Sequence, residues 1–264
     1  MTARDTKLRR LMLTNALLLG SAVSVFSQSF DVVSVKPNRT GSNSTSTDSD
    51  NERFLATNLP LKAMIRSAYG LQTPDQISGL PGWANSVSFD VQAKLDAETS
   101  AKLKSSSKDV STQIWETMFQ TMLAERFQLK VHKESRDLPI YTLVLAKGGS
   151  RLKAAEDTDP NNGSMNTHNQ SLDAKGIDVA ALCRHLSQQL HRKVVDGTGL
   201  TGTYTFTLQW SPDEAAGESV GATGGTQLPT LFTALQEQLG LKLEPGKGPV
   251  ETVVVDRVEM PSEN

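Results

Sequence analysis

The sequence predicts an α+β fold built as a tandem duplication: a small strand-helix-strand-helix-strand-strand unit occurs twice, each copy a mixed sheet with its helices packed on one face. Three observations predict it. The segment LAERFQLKV at 123–131 returns as LQEQLGLKL at 235–243, an offset of 112 residues, and each copy runs on into a proline-led strand, PIYTLVL from Pro139 and PVETVVV from Pro249. Upstream, GLPG at 79–82 and GLTG at 199–202 are followed by the alternating strand patterns SFDVQ and TFTLQ. Ahead of those turns, LPLKAMIRSAYGL and IDVAALCRHLSQQL carry apolar residues at helical spacing.

Taken in order, the chain opens with Arg4, Lys7, Arg9 and Arg10 before an apolar stretch at 11–26, the layout of a secretory signal peptide. Val25 and Ser27 suit a signal peptidase site, so cleavage is expected near Ser27, leaving the mature chain periplasmic or secreted. An uncleaved anchor is the alternative, since 11–26 falls just short of the roughly 17 residues a membrane span needs; it is the one membrane contact expected. Lipid anchoring would need a cysteine just past the apolar stretch, and the single cysteine is Cys183.

FDVVSVKP, from Phe30, reads as the first strand, and the polar run at 38–51 as a mobile loop with nothing apolar to bury. In the first helix Leu61, Met64, Ile65 and Ala68 share a face; in its counterpart Val179, Leu182, Cys183 and Leu186 do. The stretch at 147–163 reads as a linker between a first unit at 28–146 and a second at 164–264, and the Gly- and Ser-rich stretch at 211–226 as another loop. One cysteine forms no internal disulfide, so the expected stability rests on the hydrophobic core.

Composition and motifs narrow the function classes. Cleavage removes four basic residues and Asp5, moving the formal net charge from −2 to −5, against the cationic face that a nucleic-acid binder needs. GTGLTG at 197–202 spells a dinucleotide-binding turn, but a strand pattern follows it where a helix N-terminus must face the pyrophosphate; a hairpin turn is expected instead. Ser49-Asp50-Asn51 and Ser105 with Lys108 imitate the serine-reactive penicillin-binding motifs in reversed chain order and without their third element. DTDPNNG at 157–163 resembles the start of a calcium loop, but its glycine comes one residue late and His168 stands where a glutamate must close the loop. His185 and His191 fall on different helix faces, so no metal site is expected, and no cofactor is implied. Trp83, Asp196, Trp210 and Asp256, each beside a turn or at a strand end, are the candidate ligand-binding residues; for the tryptophans, closing the edge of a core is the competing role.

The segments at 194–210 and 234–264, with FDVVSVKPN from Phe30 and FLATNLPLKAMIRSAYGL from Phe54, resemble a family of soil-associated, exported bacterial proteins of unknown function. The likeness covers nearly the whole mature chain. It implies export and, from relatives fused to membrane metallopeptidases of the beta-lactam-sensor type, an envelope setting; the zinc motif of those peptidases is missing here. Three functions fit: a non-enzymatic binding module for an envelope ligand or protein, a sensory partner of an envelope peptidase system, or a hydrolase with a dispersed site in the groove between the units.

Overall fold

The computed structural model describes residues 28–41, 44–156, 159, 162–168, 170–211 and 228–261. The signal segment and nearly all of the 211–226 stretch lie outside these residues. The first half runs β1 (Val32–Pro37), β2 (Ser46–Ser49), β3 (Arg53–Pro60), α1 (Leu61–Ala68), β4 (Ile77–Ser78), β5 (Ser88–Lys94), α2 (Ala97–Ser105), α3 (Lys108–Phe127) and β6 (Lys130–Leu145). The second runs β7 (Lys153–Ala154), β8 (Ser164–His168), β9 (Ser171–Ile177), α4 (Val179–Leu190), β10 (Val194–Asp196), β11 (Tyr204–Gln209), α5 (Leu231–Ala234) and β12 (Leu241–Arg257).

The α+β class holds, with three sheets in place of the two mixed ones expected. Two are antiparallel, in the orders β1-β5-β3-β2 and β7-β11-β9-β8. The third, β10-β6-β12-β4, is mixed: β6 and β12 pair antiparallel along their length, and a short parallel strand flanks each. The two outer sheets are laid out alike, and the central one reads the same from either end.

The long strands correct the reading of each unit's end. The sequence reading breaks the chain before Pro139 and Pro249, whereas both prolines lie inside continuous strands. The ladder explains this. Tyr141 N–H donates outward to Lys193 O at 2.8 Å, so by alternation residue 139 also faces the outer edge. Pro249 and Pro245 are paired with Asp137 and Tyr141 and therefore face outward on β12. A proline where no ladder bond is asked of it costs the sheet nothing and blocks the edge against a further strand.

Two more expectations change. The polar run at 38–51 contains β2, paired with β3 and tied by the Thr45 hydroxyl to Asn58 O at 3.0 Å. The stretch at 147–163 contains β7, which pairs with β11. Both glycine turns pass the chain from the central sheet to an outer one, so neither is a hairpin. At the first, Gly79 (φ +80°) lies so close to β12 that a Cβ would stand 2.5 Å from Val255 O.

Two cores result. The first is aromatic: Phe54 stands edge-on to Phe119 at 4.9 Å between centroids, and Phe89 to Phe127 at 5.0 Å. The second is built largely from leucines, Leu172, Leu182, Leu186 and Leu208 among them. The apolar faces expected of α1 and α4 line these cores, with all four named α1 residues at 0 % exposure. The central ribbon serves both: Val253 and Val255, from the second half of the chain, close the first core, and Leu143, from the first half, lies in the second.

Candidate functional site

The halves meet along a seam beside β10. Asp178 caps α4, its carboxylate accepting from Ala181 N–H at 2.6 Å, and the helix ends at His191 in the left-handed conformation (φ 51°). The turn brings the chain back as β10. Ser187 locks helix to strand: its hydroxyl donates to Cys183 O at 2.7 Å and accepts from Val194 N–H at 2.8 Å.

From the first half, the loop after α1 is fastened to β12, because the Gln76 amide donates to Glu251 O at 2.9 Å and its oxygen accepts from the backbone N–H groups of Gln72 and Thr73. That loop presents the Gln72 side-chain oxygen to Lys193 Nζ at 2.8 Å, a bond between residues 121 apart in the chain. Nearby, Lys108 Nζ at the start of α3 donates to Gly163 O ahead of β8.

Two hollows lie along this seam. One, of about 280 Å3, runs between α4 and β10 and is lined by Gln72, Cys183, Arg184, Lys193 and Asp196 among others. The other, of about 440 Å3, includes Lys108, Asp109, Met165, Asp178 and Arg184. Arg184 borders both and makes no hydrogen bond or ion pair among the described residues.

Most reactive groups here are committed. Burial, with the Asp196 charge second, pushes the Cys183 thiol up to about 12, so it stays a neutral thiol at physiological pH. Asp196 Oδ1 accepts from both Thr198 N–H (2.8 Å) and the Thr198 hydroxyl (2.7 Å), closing the turn after β10. Burial holds the Lys193 ammonium below its ordinary value. Among the described residues no group of three or more His, Cys, Asp or Glu is placed to hold a metal ion.

Of the four residues singled out in the sequence, Asp196 alone borders the seam. Trp210 is 4 % exposed and belongs to the second core, while Trp83 packs half-buried against the first, edge-on to Phe89 at 6.5 Å. Asp256 sits at the bulge near the end of β12, bonded to His132 Nδ1 at 2.8 Å, and His132 Nε2 meets Glu134 at 3.1 Å. With a carboxylate hydrogen-bonded to each ring nitrogen, first Asp256 and then Glu134, the protonated form of His132 is favoured and its pKa is raised above the ordinary value. The residues that sequence reasoning missed are Gln72, Arg184 and Lys193. Arg184 was legible only as the polar neighbour of the α4 apolar stripe, and nothing local marks Gln72.

A family model described as a protein of unknown function, DUF3738, matches residues 62–258. The chain belongs to that family. The matched span of this DUF3738 protein takes in residues of both cores and the whole seam. No curated protein and no solved structure matches the chain.

Proposed function

We propose that this DUF3738 protein is an exported, non-enzymatic binding module of the bacterial cell envelope that takes its ligand in the seam between its halves. The observation that carries the reading is Arg184: a guanidinium on the rim of two adjoining hollows with no partner of its own among the described residues. Further support comes from the state of the neighbouring groups, since the Cys183 thiol is protonated and Asp196 is spent on its turn. The basic and apolar start of the chain supports export, and the matched layout of the outer sheets supports an internal duplication.

Immobilised protein starting at Gln28 is expected to retain a component of envelope extracts, and an Arg184→Glu variant of unchanged melting temperature to lose it. Equal retention by both proteins would remove the seam from the reading, and no retention by either would remove the binding module. Export is checked by expressing the full chain in a bacterium and weighing the product, whose expected N-terminus lies near Gln28.

A further inference from the structure

The ligand class follows from the outer edge of β10, which α4 covers at Val194 and which is exposed at Asp196, and it rests on the binding reading proposed for the seam. β10 pairs with β6 on one side only. In that parallel ladder Lys193 O accepts from Tyr141 N–H and Gly197 N–H donates to Leu143 O, each at 2.8 Å, so the backbone groups of Val195 also face β6 and those of Val194 and Asp196 face away. Ser187 takes the outward N–H of Val194. The outward C=O of Val194 and N–H of Asp196 have no partner among the described residues, and both residues line the 280 Å3 hollow under α4.

An acceptor followed two residues later by a donor, both on one strand edge, is the pattern an extended peptide pairs with when it adds as a further strand. The walls decide what that peptide carries. Arg184 and Lys193 line the hollow, whereas Asp196, at the opposite end of β10 from Lys193, has its carboxylate turned into its own loop. A negative group is drawn to the cations and repelled from Asp196, and a guanidinium suits a carboxylate held by two hydrogen bonds. The hollow's volume, just below the usual 300–1,000 Å3 range of ligand pockets, suits a segment of a few residues.

We infer that the seam binds the carboxylate end of a short extended peptide, paired as an added strand to the outer edge of β10 and held at its carboxylate by Arg184, with Lys193 beside it.

The test is an amide NMR titration of the mature chain with tetra-alanine bearing a free carboxyl terminus, with the same peptide as its C-terminal amide, and with inorganic phosphate. Saturable shifts at the Asp196 N–H and the Arg184 Nε–H are expected with the free acid, with affinity at least tenfold weaker for the amide. Arg184→Gln, at an exposed position that leaves the spectrum of the fold intact, should lose tenfold or more for the acid. Equal affinity for acid and amide, shifts confined to regions away from β10, an Arg184 response that phosphate reproduces without moving Asp196, or no shift with any probe each overturns the inference. The binding module itself stands or falls separately, on whether the unaltered mature chain retains any component of envelope extracts.

Discussion

His132 shows how a residue that looks catalytic by type is committed by its neighbours. Its hydrogen bonds to Asp256 and then Glu134 raise its pKa above the ordinary 6.5, and the bond from His132 is the first cause lowering that of Glu134 below 4.5. For the histidine, whose folded value is the higher, the stabilisation is complete below about pH 6.5 and fades as pH rises through the raised folded value. For Glu134, whose folded value is the lower, it is present above about pH 4.5 and is lost as pH falls through the depressed one. The cluster therefore contributes most between those limits. Proton NMR titration of His132 should give a midpoint above 6.5, brought down in Asp256→Asn; an unchanged midpoint in that variant would remove Asp256 as the cause. Cys183 makes a second case at this scale. Its thiol should be labelled by a disulfide reagent at near neutral pH only when the protein unfolds, and rapid labelling of the native chain would contradict its burial.

Among the elements, helix ends and strand edges carry the information. The turn of π-helix at Leu235–Leu239 ends at Gly240 (φ 67°), and Gln128 takes up the same left-handed conformation (φ 51°) between α3 and β6. Gln128 tolerates it, while a Cβ on Gly240 would run into Gly149 O. Gly240→Ala is therefore expected to cost about 2–4 kcal/mol in urea unfolding, the sum of left-handed strain and a backbone clash. A loss under about 1 kcal/mol would mean that the loop at 149 yields. Pro139 and Pro249 act on assembly instead. Replacing both by threonine should leave the melting temperature nearly unchanged, because neither position faces its partner strand, and should raise self-association in sedimentation as two blocked edges gain donors. A collapse in melting temperature would show that the prolines serve the fold itself.

For the whole molecule, the central ribbon makes the halves interdependent. Val253 and Val255 are 0 % and 6 % exposed in the first core, and Leu143 is 0 % exposed in the second. A fragment of residues 28–163 lacks both valines and the strand that β4 pairs with, so it should show no cooperative thermal transition in near-ultraviolet dichroism. Adding a fragment of residues 164–264 should restore one. A cooperative melt of 28–163 alone would show that the first lobe does not need β12. The same sharing positions the seam: the loop that brings Gln72 to Lys193 is bound to β12, β12 pairs with β6, and β6 pairs with β10.

What the sequence by itself determined is what is local and periodic. The α+β class, the buried faces of α1 and α4 and the strands after the glycine turns were legible because side chains alternate or recur within one element. The family likeness stood on contiguous strings of residues for the same reason. What only the tertiary structure decided is what depends on partners distant in the chain: that Pro139 and Pro249 face an open edge, that β12 completes the first core, and that Trp210 is buried while Asp196 borders a groove. Which way a strand residue points is set by the register with its neighbour, and a single shift would exchange the buried and exposed sets. The seam is the clearest instance, since Gln72 and Lys193 are 121 residues apart and each is an ordinary polar residue in its own segment. They become a site only when the ribbon brings the two halves together.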